Sequence, residues 1–160
     1  MNKTPYKIIS LFSGCGGMDL GFLGGFNVFG QRYNKLPFQI VYSNDINKYA
    51  INTYNHNFNH TGVVEESNKI DLDTSPAADI VIGVFPCQPF SNAGKRDGFE
   101  DNRGNLYLQM KKVIDHVKPK MFIAENVDGI RTKKDNKDTT ALDKVVADFS
   151  KSGYEVEYKV

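Results

Sequence analysis

The strongest constraint on this chain's fold is a series of short apolar runs, each closed by a turn-forming residue and mostly followed by apolar residues at helical spacing. Residues 6–12 (YKIISLF) stop at Ser13-Gly14, 39–43 (QIVYS) form a second run, and 79–85 (DIVIGVF) a third closed by Pro86. Residues 121–124 (MFIA) follow Pro119, and 154–160 (YEVEYKV) alternate polar and apolar. Runs of this length, rich in Ile, Val, Phe and Tyr, read as strands. Between them Leu106, Met110, Val113, Ile114 and Val117 fall on one face of a helix over 105–117, which Pro119 ends. Leu142, Val145, Val146 and Phe149 mark another, with Thr140 and Asp143 placed as a capping box and Gly153 as a stop. Residues 46–58 form a weaker helical pattern. Strands alternating with helices predict an α/β fold: a doubly wound, mostly parallel sheet with helices on both faces and ligands beyond the carboxyl ends of the strands.

The 160 residues carry no internal repeat or Pro/Ser-rich linker, so 1–160 is read as one domain. Lys+Arg 20 against Asp+Glu 19 leaves a net charge of +1, which gives no bulk preference for a polyanion but leaves room for a local basic cluster. No apolar run approaches the roughly 20 residues of a membrane span, and the amino-terminal stretch lacks a signal peptide's apolar core. Two cysteines, Cys15 and Cys87, exclude a disulfide scaffold or a multi-thiolate zinc site and suit a reducing cytoplasm. His56 and His60 stand four apart without a third ligand, so no metal site is expected; His116 reads as helix surface. Two stretches break the pattern, 86–104 and the charged 131–140, and both read as loops. Val160 falls within a strand pattern, which suggests the front portion of something longer.

Three constellations sit where strands end. Ser13-Gly14-Cys15-Gly16-Gly17 follows the first run, either as a tight turn needing positive φ or as a ligand cradle opening onto a helix. Asp19 occupies the place of the third glycine of a dinucleotide fingerprint, which disfavours a nicotinamide or flavin cofactor. Asp45, after the second run, has the chemistry to accept ribose hydroxyls. Cys87 lies between Pro86 and Pro89 at the end of the third run, either a small buried hydrophobe or a nucleophile needing nearby positive charge. Cys15 reads as packing. Glu125, ending the fourth run, is either a cap or ion-pair partner or a partly buried general acid.

Together and in this order, FSGCGG (12–17), FPCQPFS (85–91) continuing through GFEDNRG (98–104), and ENV (125–127) resemble the DNA cytosine-5 methyltransferase family over essentially the whole chain. The resemblance implies a Rossmann-like fold dependent on S-adenosylmethionine. Cys87 would attack carbon 6 of a cytosine flipped from the duplex, and Glu125 would hold the base edge and its ring-nitrogen proton. Methyl transfer to carbon 5 and elimination of Cys87 would follow. It assigns Phe12, Gly14, Gly16 and Gly17, with Asp45, Ile46, Asp71, Leu72, Pro86 and Leu106, to the cofactor, and Gln88, Ser91, Lys95 and Arg103 to DNA.

The family's later Gln-Arg motif, target-recognition domain and closing Asn motif are absent here, so the recognition sequence is not encoded in this stretch. The resemblance further implies a bacterial cytoplasmic, nucleoid-associated enzyme of a restriction–modification system, with a cognate endonuclease and a carboxyl-terminal half or second subunit as partners. Two alternatives remain: a non-catalytic cofactor-binding fragment or subunit of a split methyltransferase, and a tRNA cytosine-5 methyltransferase.

Overall fold

The computed structural model describes residues 4–86, 106–133 and 139–160. Among these, five parallel strands form one sheet: β1 (Tyr6–Leu11), β4 (Phe38–Asp45), β5 (Val63–Val64), β6 (Ile80–Val84) and β7 (Met121–Glu125). Their spatial order is β5-β4-β1-β6-β7. The chain leaves β1 toward β4 on one side and leaves β6 toward β7 on the other. The switch point, where ligands of such sheets bind, therefore lies between the carboxyl ends of β1 and β6.

Alternation along β1 explains the two layers. Ile8 faces one side with Ile40, Ile80 and Ile82, and this patch is covered by Met18, Phe22 and Leu23 of α1 (Gly17–Leu23). Ser10 shares that face and meets Asp19 of the same helix. Ile9 and Leu11 face the other side, in a core with Met110, Val113 and Ile114 of α3 (Leu106–Val117) and Val145 and Phe149 of α5 (Ala141–Ser150). Helix α2 (Lys48–Asn57) joins α1 through Tyr54. Doubly wound architecture with helices on both faces is thus realised. Both predicted amphipathic helices form, and the Thr140–Asp143 capping box closes the start of α5 with hydrogen bonds in both directions. No helix among the described residues is long and apolar enough to cross a membrane.

Three expectations are corrected. Residues 154–160 form no strand. Their alternation turns Tyr154 and Val156 toward the core, where the Tyr154 ring meets Phe122 edge-on at 5.3 Å and its hydroxyl donates to the Pro119 carbonyl at 2.7 Å. Side-chain packing holds the segment while its backbone joins no ladder. A cavity of about 790 Å³ lies between it and β7. Cys15 is exposed rather than packed: in this turn Ser13 and Gly16 are the buried positions, and Cys15 between them faces outward. The 131–140 stretch is not all loop: α4 (Gly129–Thr132) extends into it. A short hairpin, β2 (Asn27–Val28) with β3 (Gln31–Arg32), went unsignalled, as did β5.

Candidate active site

Leu11 pairs with Asn44 on one side and Gly83 on the other, and Val84 pairs with Glu125. The four strands therefore end level, delivering Asp45, the Phe12–Gly17 turn, Phe85-Pro86 and Glu125 to one rim. With strands about 4.8 Å apart, Asp45 and Glu125, three strand spacings from each other, stand about 14 Å apart across this rim. The glycine turn and the Pro86 turn lie between them.

The first turn is unusually tight. Phe12, Gly14 and Gly16 all hold positive φ, at 54°, 55° and 90°. Gly16 caps α1, and a Cβ there would lie 2.3 Å from Phe58 Cε2. On the opposite side the turn is open: a Cβ at Gly14 or Gly17 would meet nothing within 4 Å. The Ser13 amide and hydroxyl both donate to the Asn44 carbonyl, at 2.9 and 3.2 Å, tying the turn to β4.

Asp45 completes that tie. Its Oδ2 accepts the Gly14 N–H at 2.9 Å and its Oδ1 accepts the Asn47 N–H at 2.8 Å. Each oxygen keeps a second lone pair for an outside donor. Asn47, a residue the sequence reading passed over, caps α2 by accepting from Tyr49 and Ala50. Ile46 beside it is 69% exposed, an apolar side chain with no core to fill. An open glycine cradle, a carboxylate with free lone pairs and an exposed aliphatic face fit S-adenosylmethionine.

Behind the turn Asp19 is fully buried, its carboxylate accepting the Ser10 hydroxyl and the Tyr54 phenol, each at 2.9 Å. Burial pushes its carboxyl above the usual range, although those two hydrogen bonds oppose the shift. His60 stands edge-on to Tyr54, and burial lowers its imidazole against the pull of the Asp19 charge. His60 lies beyond the end of α2, so it does not share a helix face with His56. Among the described residues no group of His, Cys, Asp and Glu is arranged to hold a metal.

Glu125 ends β7 and is exposed, so the partial burial that one of its two sequence readings carried is not seen; β7 is an outer strand with no further neighbour among the described residues. Its neighbour Asn126 crosses to β6, donating from Nδ2 to the Phe85 carbonyl at 2.7 Å. The motif ENV was legible, but this bridge was not. Leu106 opens α3, half-buried, and Pro86 is exposed. Asp71 is exposed, its carboxylate accepting the Asp73 N–H, while Leu72 packs on the core beside it. Cys87, Gln88, Ser91, Lys95 and Arg103 lie outside the described residues.

Comparison with known proteins converges on one chemistry. Residues 6–160 match the family described as C-5 cytosine-specific DNA methylase. The chain is 38% identical over 157 residues to the Type II methyltransferase M.NgoFVII of Neisseria gonorrhoeae, covering 96% of this chain and 38% of that protein. It is 34% identical over 171 residues to the Type II methyltransferase M.BsuRI of Bacillus subtilis, with the same coverage of 96% and 38%. The chain thus spans about two fifths of these relatives' length. Among solved structures, the S. pombe Dnmt2 methyltransferase superposes with a TM-score of 0.61 at 26% identity, covering 89% of this chain and 41% of that one.

Proposed function

The chain belongs to the C-5 cytosine-specific DNA methylases, and from that premise we propose that it carries the cofactor-binding and base-activating portion of an enzyme that methylates carbon 5 of cytosine in DNA. The observation supporting this most is the common rim. The glycine turn tied to Asp45, and the Pro86 and Glu125 strand ends, flank the switch point of a doubly wound sheet. S-adenosylmethionine, when bound, supplies an electrophilic methyl carbon. Gly14, Gly16 and Gly17 with Phe12 shape the bed for it, Asp45 accepts its ribose hydroxyls, and Ile46 with Leu72 flanks the adenine near Asp71. Pro86 and Leu106 border the same pocket.

Cytosine is a weak nucleophile at carbon 5, and transient addition makes it a stronger one. In this reading the Cys87 thiolate forms a bond to carbon 6 while Glu125 hydrogen-bonds the base edge and sustains a proton on ring nitrogen 3. That proton is the electron sink. Carbon 5 then gains the methyl group, a base removes its proton, and the bond to Cys87 breaks as the ring double bond returns. Neither ring atom is reachable in a stacked duplex, so the cytosine is extruded. Gln88 and Ser91 contact the extruded nucleotide, and Lys95 and Arg103 the phosphates.

The names of the relatives support a place in a restriction–modification system, with a cognate endonuclease, working on chromosomal DNA in the bacterial cytoplasm. Because those relatives are far longer, residues 1–160 are read as one catalytic domain that works with a further segment or second polypeptide carrying target recognition. The test offers the chain tritiated S-adenosylmethionine with unmethylated duplex DNA and, separately, tRNA. Label in DNA that vanishes in Cys87→Ser is expected. Label in tRNA alone replaces the DNA reading. Label appearing only after a polypeptide supplying the remaining length is added identifies a split enzyme.

A further inference from the structure

We infer that Asp19 is a positioning residue for the cofactor: through Tyr54 and Phe58 it fixes the shape of the glycine turn from behind. The inference rests on the cofactor reading given above and adds a residue to it that touches neither ligand nor substrate.

The chain of contacts is continuous. Asp19 sits in the first turn of α1, immediately after the cap formed by Gly16. Its Oδ2 accepts from Ser10 of β1, which anchors it to the central strand. Its Oδ1 accepts from the hydroxyl of Tyr54 on α2, which fixes that ring. The Tyr54 ring stacks on Phe58 with centroids 4.4 Å apart. Phe58 and Tyr54 fill the space directly behind Gly16, where an added Cβ would approach their ring atoms to between 2.3 and 2.9 Å.

On the far side a Cβ at Gly14 or Gly17 would meet nothing within 4 Å, so there the turn is held by its hydrogen bonds to Asn44 and Asp45 and not by packing. Three residues within five hold left-handed backbone, and one of them, Phe12, is not glycine. Such conformations persist only where the surroundings over-determine them. From behind, the backing is the Tyr54–Phe58 stack, and the Asp19 carboxylate holds the Tyr54 hydroxyl, with Ser43 a second neighbour of that hydroxyl. A fully buried carboxylate, costly to place there, suits this role because it accepts both hydroxyls at once. Release of Tyr54 would let the stack settle away from Gly16 and let the turn relax, widening the bed on which the cofactor's methionine and adenosine portions rest.

The test measures the dissociation constant for S-adenosylmethionine by titration calorimetry at 10 °C, where melting curves show each variant folded. Amide shifts of Gly14, Gly16 and Gly17 are recorded without ligand. Tyr54→Phe deletes only the hydroxyl and keeps the stack; it is expected to weaken binding about tenfold, equivalent to about 1.4 kcal/mol, and to move the glycine amides. Asp19→Leu should match or exceed it. Asp19→Asn, which retains an acceptor for Tyr54, should restore most of the affinity.

Lowered melting temperature with unchanged affinity and unmoved glycine amides in Tyr54→Phe would overturn the inference, leaving a purely structural network. Absence of binding by the unaltered chain would overturn the cofactor reading itself, and this inference with it. The two failures are therefore distinguishable.

Discussion

Replacing Gly17 by alanine adds one methyl group at the first helical position of α1, where φ is not positive and the new Cβ meets nothing within 4 Å. Helix propensity favours alanine over glycine by up to about 1 kcal/mol, less in a first turn, so stability should rise by about 0.5–1 kcal/mol. For a chain of this size that is about 1–4 °C in melting temperature. The same methyl projects into the space assigned to the cofactor. Forcing a methyl group against a close-fitting surface costs about 1–3 kcal/mol, hence about 5- to 150-fold in the dissociation constant.

Gly21→Ala is the control, an exposed position in the same helix with equally open surroundings. It should stabilise by about 1 kcal/mol and leave affinity unchanged. Gly16→Ala is the converse, combining left-handed backbone with a 2.3 Å approach to Phe58. It should destabilise by about 2–5 kcal/mol, summing about 1–2 for the backbone and about 1–3 for overpacking. Melting curves and calorimetric titration with S-adenosylmethionine read all three. A Gly17→Ala protein that binds as tightly as the unaltered chain would refute the placement of the cofactor against this turn.

Further expectations concern the ties around the rim. Asp45→Ala strips acceptors from the Gly14 and Asn47 amides and should weaken S-adenosylmethionine binding by about 10- to 150-fold, on a loss of about 1.5–3 kcal/mol for charge-assisted bonds, read by the same titration. Asn126→Ala frees the Phe85 carbonyl and should lower stability in urea by about 1–2 kcal/mol. His60, held by burial below its ordinary 6.5, contributes stability that is present above pH 6.5 and lost as pH falls through its lowered value. Asp19 runs the other way. Its raised carboxyl favours the fold below 3.8, and that contribution fades as pH rises through the elevated value. On acidification the two contributions oppose each other, so the comparison between variants is the readout: between about pH 7.5 and pH 5 the urea midpoint should drop less, or rise more, in His60→Gln than in the unaltered chain.

Periodicity made the faces of the elements legible but not their partners. Residues 6–12 and 79–85 read as strands because their apolar runs are largely buried in parallel ladders, and 121–124 because its apolar run pairs with β6, although only Phe122 of this outer strand packs on the core. Their ends could be found because Gly, Pro and acidic residues follow them. Val63–Val64 was missed because two residues on an edge carry no pattern. The Asn27–Arg32 hairpin turns through Phe29 and Gly30, both at positive φ, and phenylalanine gives no turn signal there. Residues 154–160 show the limit from the other direction, since alternation orients side chains without supplying a strand to pair with. The ties from Tyr54 to Asp19 and from Asn126 to Phe85 span 35 and 41 residues. A local reading has no access to either.

The central claim is that Cys87 forms the bond to carbon 6 while carbon 5 is methylated. Duplex DNA carrying 5-fluoro-2′-deoxycytidine tests it directly, since fluorine at carbon 5 cannot leave as a proton and the adduct persists. The chain, with any polypeptide needed for methyl transfer and S-adenosylmethionine, is incubated with this duplex and digested for mass mapping. A denaturation-stable DNA adduct on the peptide containing Cys87, absent in Cys87→Ser, is the predicted result. An adduct on any other residue, or equal adduct in the Cys87→Ser protein, would contradict the account.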